Sequence, residues 1–202
     1  MTRRRVFATA AAALAAVALT FSLSACTSTD AATQAFRDGQ NAGYIGGDGR
    51  WSEIPEADRG EPVDFAGVTQ DGDAISSEDL RGDVVVINFW YAACGPCRVE
   101  APDLEKIYQD HKDSGVSFVG INTADQADTA KSFMKTYGVT YPSIIDAGDG
   151  AAKIAFAQTV PLQASPNTVV LDKKGRVAAT IIGAIDGPSV LNTFVTELSD
   201  ES

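Results

Sequence analysis

The sequence predicts an α/β domain with a mixed central sheet flanked by helices. From residue 84 onward, apolar β-branched runs alternate with segments whose apolar residues recur at helical spacing, which is typical of strands joined by helical connections. Two later apolar runs flank Asp172-Lys173-Lys174-Gly175, and this turn-forming segment predicts an antiparallel hairpin. Because the alternating units and the hairpin would share one sheet, we expect parallel and antiparallel strands together, with helices on both faces.

The individual elements follow from local patterns. Val63-Asp64-Phe65 and the turn Asp71-Gly72-Asp73 predict a short strand that forms an N-terminal β extension. Val84–Trp90 is apolar and β-branched, as in a strand covered on both faces, and apolar residues at helical spacing predict a helix over residues 96–112. The elements predicted after it are, in chain order, a strand over 116–121, a helix over 126–137, a strand over 143–145, a short Ala-rich helix near 150–157, hairpin strands over 168–171 and 177–182, and a last helix from about 188 to 198.

The first 25 residues have the three parts of a secretory signal peptide. Arg3, Arg4 and Arg5 form a basic start, residues 6–20 are apolar, and Leu23-Ser24-Ala25 provides small residues for cleavage. A transmembrane helix needs roughly 20 apolar residues, whereas this run is shorter and rich in alanine. We therefore expect residues 1–25 to be removed during export.

Leu23-Ser24-Ala25-Cys26 resembles a bacterial lipobox. The resemblance implies a lipoprotein that is cleaved before Cys26 and carries a diacylglyceryl group on its sulfur, and two acyl chains attach a protein stably to a membrane. The alternative is an ordinary signal peptide followed by an incidental cysteine, and Arg4-Arg5 leaves both the general and the twin-arginine export routes open. With the lipid, the protein is expected on the extracytoplasmic side of a bacterial cell membrane.

Composition divides the exported chain into a tether and one domain. Residues 26–58 are expected to form a flexible tether because most of them are Gly, Ala, Ser, Thr and other polar residues, and residues 59–199 are numerous enough to bury a core. Without the signal peptide, 13 Lys plus Arg stand against 27 Asp plus Glu, a formal charge of −14. This charge argues against nucleic-acid binding, which needs a basic patch.

We expect the exported protein to be a monomer.

Cys94-Gly95-Pro96-Cys97 carries the chemistry of this chain. Two thiols spaced C-x-x-C at the junction of a strand and a helix can close into a disulfide and reopen. Cys94 would lie at the helix N-terminus, where unpaired N–H groups and the helix dipole stabilise a thiolate. We therefore predict that Cys94 is the attacking nucleophile and that Cys97, one turn into the helix and more buried, is the resolving thiol.

The cysteine count favours a redox pair over a zinc site. If Cys26 is acylated, Cys94 and Cys97 remain as one pair, and a disulfide can persist outside the cytoplasm. A structural zinc site generally needs four ligands, and only Cys26 and His111, the sole histidine, could be added. No metal and no other cofactor are expected.

The segment from Phe89 to Arg98, FWYAACGPCR, resembles the active site of thioredoxin-fold proteins. The following Val99-Glu100-Ala101-Pro102 narrows the resemblance to the membrane-attached TlpA/ResA-like thiol–disulfide oxidoreductases, and Pro102 matches the helix-kinking proline of the fold. The resemblance covers roughly residues 60–199. It implies a thioredoxin-like fold and exchange of the Cys94–Cys97 dithiol with protein substrates.

The resemblance also assigns Glu100, which occupies the position of a glutamate that lies beside the thiols in ResA-like proteins. Spacing of i and i+3 independently places Glu100 next to Cys97, and a partly buried carboxyl there could relay protons. The alternative is a surface glutamate that stabilises the helix start. Asn88 stands where thioredoxin has a buried aspartate, and its amide cannot take a proton.

Ser165-Pro166 resembles the segment whose cis-proline faces the disulfide in this fold. Pro161 is the competing candidate, but Pro166 directly precedes a predicted strand, and Ser165 replaces the more usual Thr or Val. Residues predicted to contact the substrate are Trp90, Gly95, Pro96 and Ser165.

Four functions can be compared. The resemblance implies reduction of protein disulfides, including those of haem-binding cysteines in apocytochrome c, with electrons from a membrane thiol relay. The same exchange in reverse would introduce disulfides into exported proteins. A copper metallochaperone of this fold would need C-x-x-x-C and a distant downstream histidine, whereas this chain has C-x-x-C and no histidine after His111. A peroxiredoxin would need P-x-x-x-T-x-x-C, and the residues from Trp90 to Cys94 lack that pattern.

Overall fold

The computed structural model describes residues 50–161 and 163–201. The predicted signal peptide, Cys26 and the glycine-rich part of the predicted tether lie outside the described residues. Within these two ranges, none of the helices combines the length and the apolar content needed to cross a membrane.

A mixed sheet organises the described part of the chain. Its elements are strands β1 Trp51–Glu53, β2 Ala66–Val68, β3 Ala74–Ser76, β4 Val84–Trp90, β5 Val116–Asn122, β6 Ser143–Ile145, β7 Asn167–Leu171 and β8 Val177–Ile182, and helices α1 Gly95–His111, α2 Ala127–Tyr137, α3 Ala151–Ile154 and α4 Ser189–Asp200. Six of these strands form one sheet in the order β1-β8-β7-β4-β5-β6, while β2 and β3 pair separately. β4, β5 and β6 are parallel, and β7, β8 and β1 add antiparallel pairs on the other side of β4. The predicted mixed sheet is thus confirmed.

Strand β4 lies at the centre because elements pack on both of its faces. All seven of its residues are buried. Val84 and Val86 belong to a core closed by α1, α2 and α4, whereas Val85, Ile87 and Phe89 belong to a second core closed by α3 and the β2–β3 hairpin. This alternation confirms that helices cover both faces of the sheet.

The predicted element bounds agree with the structure to within two residues, apart from the N-terminal hairpin and α3. The hairpin strands β2 and β3 occupy residues 66–68 and 74–76, whereas the sequence predicted one strand at 63–65. Gly67 of β2 lies against the side chain of Ile144, which a Cβ at this position would overlap. Helix α3 ends at Ile154, short of the predicted end near residue 157.

The fold also begins earlier than residue 59, where the sequence placed the start of the domain. Strand β1 lies within the predicted tether and pairs with β8, and Trp51 packs edge-on against Phe194 with ring centroids 5.6 Å apart. The buried Arg59 donates to Ile54 O at 3.0 Å and bridges Asp172 at 3.2 Å. Because a buried cation is costly unless it is paired, these contacts hold residues 51–59 on the β7–β8 hairpin.

Gly120 of β5 allows a close approach beside the end of β4. A Cβ at this position would overlap Ser143 Oγ and lie 2.7 Å from Trp90 Nε1. The Trp90 indole N–H donates to that same Ser143 hydroxyl at 3.0 Å. Space for this buried hydrogen bond therefore exists because the residue at position 120 is a glycine, which has no side chain.

We expect Gly120→Ala to lower the free energy of unfolding by about 1–3 kcal/mol, because overpacking a close-packed core forces its neighbours apart. Gly60→Ala is the matched control, since no atom lies within 4 Å of a Cβ built there. Chemical denaturation of both oxidised variants measures the difference. Equal stability of the two variants would contradict the close packing described here.

Candidate active site

The two cysteines lie at the junction of β4 and α1. Residues 91–93 connect the strand to Cys94, which is the N-cap of α1, and Pro96 lies in the first turn. Cys94 and Cys97 form a disulfide, and the Cys97 backbone N–H donates to Cys94 Sγ at 3.2 Å. Cys94 therefore holds the capping position at which helix N–H groups stabilise a thiolate.

The Ser165–Pro166 segment faces the disulfide. Its peptide bond is cis, and Ser165 O lies 3.6 Å from Cys94 Sγ. In the dithiol form the Cys94 thiol can donate a hydrogen bond to this carbonyl. Pro166 is buried and directly precedes β7, whereas the competing candidate Pro161 is exposed and lies on the preceding loop.

Exposure distinguishes the residues predicted to contact a substrate. Gly95 and Pro96 are exposed, and Ser165 is partly exposed. Trp90 is only 4% exposed, because its ring packs at 4.5 Å on Phe133 and its N–H is bonded to Ser143. Trp90 therefore belongs to the core beside the site, and its contact with a substrate stays a prediction.

The two sulfur-bearing residues do not differ in burial. Cys94 is 3% exposed and Cys97 is 2% exposed, although the sequence led us to expect Cys97 to be the more buried. The assignment of Cys94 as nucleophile therefore depends on its capping position and on Ser165 O facing its sulfur. Val99, 76% exposed in the first turns of α1, adds an apolar surface near the disulfide.

Glu100 is a buried acid on the same helix as the cysteines. Only 1% of the residue is exposed, and its spacing from Cys97 places both on one face of α1. Asn88 Nδ2 donates to Oε1 and the Ile185 backbone N–H donates to Oε2, both at 2.9 Å. Burial raises the pKa of Glu100 from 4.5 to about 7, although these two donors lower it. The alternative of a surface glutamate is excluded.

A polar network extends from Glu100 into the sheet. Asn88 Nδ2 also donates to Thr168 Oγ1 at 3.2 Å, so one amide group joins α1, β4 and β7. Tyr141 is buried near the same carboxyl, and burial together with the charge of Glu100 raises the pKa of Tyr141. The roles of Thr168 and Ile185 as partners of Asn88 and Glu100 could not be predicted from the sequence, because nothing in their local sequence indicates a partner on another element.

The loop before Cys94 has a second set of contacts that the sequence analysis missed. Asp125 Oδ2 accepts the Ala92 N–H at 2.6 Å, and Arg98 Nε donates to Ala92 O at 2.8 Å. The sequence does contain one indication of the Asp125 contact. Asp125 comes just after β5 and Ala92 just after β4, and residues that follow adjacent parallel strands meet at the same edge of a sheet. Among residues 50–161 and 163–201, no three His, Cys, Asp or Glu side chains form a group that could hold a metal ion.

A disulfide at the start of a helix, facing a cis peptide bond on a mixed sheet of this order, defines a thioredoxin-fold dithiol–disulfide protein. The model of the Redoxin family matches residues 52–195, and the chain belongs to that family.

Comparison with individual proteins narrows the class. The thiol-disulfide oxidoreductase ResA of Bacillus thuringiensis is 36% identical over 125 residues, which are 61% of this chain and 68% of that protein. A secreted thiol-disulfide isomerase from Corynebacterium glutamicum is 32% identical with a TM-score of 0.70, covering 78% of this chain and 97% of that one. A DsbF homologue from Corynebacterium diphtheriae is 28% identical with a TM-score of 0.63, covering 76% and 96%. The TlpA/ResA-like resemblance is confirmed, and the protein is a thiol–disulfide oxidoreductase.

Glu100→Gln should flatten the pH dependence of stability. The pKa of Glu100 is higher in the folded state than its ordinary 4.5, so between about pH 4.5 and pH 7 the folded state binds more protons than the unfolded state, and stability falls as pH rises through this window. The wild type should lose on the order of 3 kcal/mol across it through this group, at about 1.4 kcal/mol for each pKa unit.

Denaturation at about pH 5 and about pH 8 measures this effect in the oxidised protein. The variant should lose less stability between the two values than the wild type, because a glutamine does not titrate. Parallel pH curves for the two proteins would show that the carboxyl is not buried as described.

Proposed function

We propose that this protein reduces disulfides of exported proteins, with Cys94 as the attacking nucleophile and Cys97 as the resolving thiol. The observation that carries the proposal is the Cys94–Cys97 pair at the start of α1 above a buried carboxyl on the same helix face. The reductive direction is also what the TlpA/ResA-like resemblance implies.

The exchange takes two steps. The Cys94 thiolate attacks one sulfur of a substrate disulfide, the substrate S–S bond breaks, and a mixed disulfide forms as the other substrate sulfur leaves as a thiolate. Cys97, as a thiolate, then attacks Cys94 Sγ, closes the Cys94–Cys97 disulfide and releases the second substrate thiolate. Two electrons pass from the protein to the substrate, and the released thiolates take up the two protons that the dithiol gave up.

Glu100 is proposed to accept the proton of Cys97 before the second step. A base is most effective when its pKa lies near the working pH, and the pKa of Glu100 is about 7. Once ionised, this carboxylate disfavours a thiolate nearby, which makes the dithiol less stable and a better reductant.

The opposite direction has one observation in its favour. The Cys97 N–H and the N-terminus of α1 stabilise a Cys94 thiolate, and stabilising the reduced form makes a disulfide more oxidising. A protein in which this effect outweighs the charge of Glu100 would donate disulfides to its substrates. The reduction potential of the pair therefore separates the two functions.

The proposed site of action is the extracytoplasmic face of the cell membrane, with the lipid on Cys26 as the attachment. The signal-peptide and lipobox patterns support this location, as does the description of the similar Corynebacterium glutamicum protein as secreted. The proposed partners are proteins with a reducible cysteine pair, including apocytochrome c, and a membrane thiol relay that returns electrons to the Cys94–Cys97 disulfide.

Cys97→Ser should trap substrates on Cys94, because the mixed disulfide forms but the resolving thiol is missing. Non-reducing gels of membranes from expressing cells, followed by mass spectrometry of the adducts, measure the trapped species. Cys94→Ser is the matched control and should trap far less. Adducts of equal abundance on both variants would contradict the assignment of Cys94 as nucleophile.

Cys26→Ser should release the protein from the membrane, because a hydroxyl cannot carry the thioether-linked lipid. Fractionation of cells that express the full chain compares the membrane-bound share with that of the unsubstituted protein. A serine variant that stays entirely in the membrane fraction would show that another segment attaches the chain.

A further inference from the structure

The short loop before the nucleophile is held from both sides at a single residue. Asp125 Oδ2 accepts the Ala92 N–H at 2.6 Å, and Arg98 Nε donates to the Ala92 carbonyl at 2.8 Å. We propose that Asp125 and Arg98 are positioning residues for Cys94, and that this two-sided clasp on Ala92 keeps the Cys94 sulfur at the N-terminus of α1. The proposal rests on the proposed role of Cys94 as nucleophile.

One half of the clasp is fixed to the sheet. Asn122, fully buried at the end of β5, donates from Nδ2 to Asp125 Oδ2 at 2.9 Å, and its Oδ1 accepts the Asp125 N–H at 2.7 Å. Asn122 pairs in register with Trp90, and the Thr123 N–H donates to Trp90 O at 3.0 Å. The Asp125 carboxylate is therefore held rigidly relative to the end of β4.

The other half belongs to the helix that carries both cysteines. Arg98 directly follows Cys97, and its backbone N–H donates to Cys94 O at 3.3 Å while its side chain turns back to Ala92. Both Arg98 and the surface around Gly95 and Pro96 are exposed, so these contacts lie at the rim of the site. The clasp thus joins the β5–α2 loop to the first turn of α1 through one peptide unit.

The position of Ala92 controls the position of the sulfur. The Cys94 N–H donates to Tyr91 O at 3.1 Å, which closes a turn with Ala92 inside it. The sulfur in turn accepts the Cys97 N–H at 3.2 Å, and this contact stabilises a thiolate over a thiol. A displaced turn would carry the sulfur away from the helix N-terminus, so attack by Cys94 would need a higher pH.

Charge alone predicts the opposite result, which makes the proposal testable. Removing the negative charge of Asp125 would, through charge alone, favour a thiolate on Cys94, because the carboxylate repels it. Asp125→Ala removes both the charge and the hold on Ala92, whereas Asp125→Asn removes the charge and keeps an oxygen that accepts the Ala92 N–H. Asp128→Ala is the matched control, because this exposed acid lies on α2, outside the clasp.

The test is the pH profile of Cys94 alkylation by iodoacetamide in the reduced full-length protein, followed on the Cys94 peptide by mass spectrometry. Asp125→Ala should move the midpoint to higher pH and slow alkylation near neutral pH by about tenfold, as the loss of one hydrogen bond to a charged group would allow. Asp125→Asn should stay within about threefold of the unsubstituted protein, and Asp128→Ala should not change the profile.

Arg98→Lys tests the other half of the clasp, because it removes the Nε donor to Ala92 O but keeps the positive charge, so that charge alone predicts no change. The Arg98 side chain is exposed, so this variant does not depend on Asp125→Ala folding. It should also move the midpoint to higher pH. A midpoint that moves to lower pH in Asp125→Ala, or that matches in Asp125→Ala and Asp125→Asn, would overturn the proposal. An unsubstituted protein whose Cys94 reacts no faster than a free thiol would instead contradict the proposed function.

Discussion

The burial of β4 on both faces is the constraint on which the active site depends. Because every residue of this strand is covered, its alternating side chains must enter one core or the other, and the strand cannot slide by one residue without placing Asn88 among apolar groups. Asn88 consequently lies beneath α1, where it donates to Glu100. The same strand ends at Trp90, and the three residues that follow it connect it to Cys94 at the start of that helix.

Two opposing electrostatic effects meet at the disulfide. The N-terminus of α1 favours a thiolate on Cys94, whereas an ionised Glu100 on the same helix disfavours one. Burial holds the pKa of Glu100 at about 7, so the balance between these effects changes near neutral pH. A neutral amide at Asn88 leaves Glu100 as the buried acid of this network, with Tyr141 close by.

The amino-acid sequence was most informative where one local pattern determines the structure. The apolar run of β4 and the C-x-x-C that follows it led directly to the strand, the helix start and the disulfide. β1 was missed because a three-residue edge strand of half-buried residues has no alternating pattern, and its stability comes from pairing with β8. The partners of Glu100 and Ala92 could not be predicted, because Ile185 N–H and Asp125 reach them only through the topology of the sheet.

The reduction potential of the Cys94–Cys97 pair decides between a reductase and a disulfide donor. It is measured by equilibrating the full-length protein with glutathione or dithiothreitol and determining the oxidised fraction. A reductase requires a value near that of thioredoxin, about −270 mV, or lower. This is the result that the buried Glu100 carboxyl predicts. A value near that of DsbA, about −120 mV, would contradict the reductive function and identify a disulfide donor.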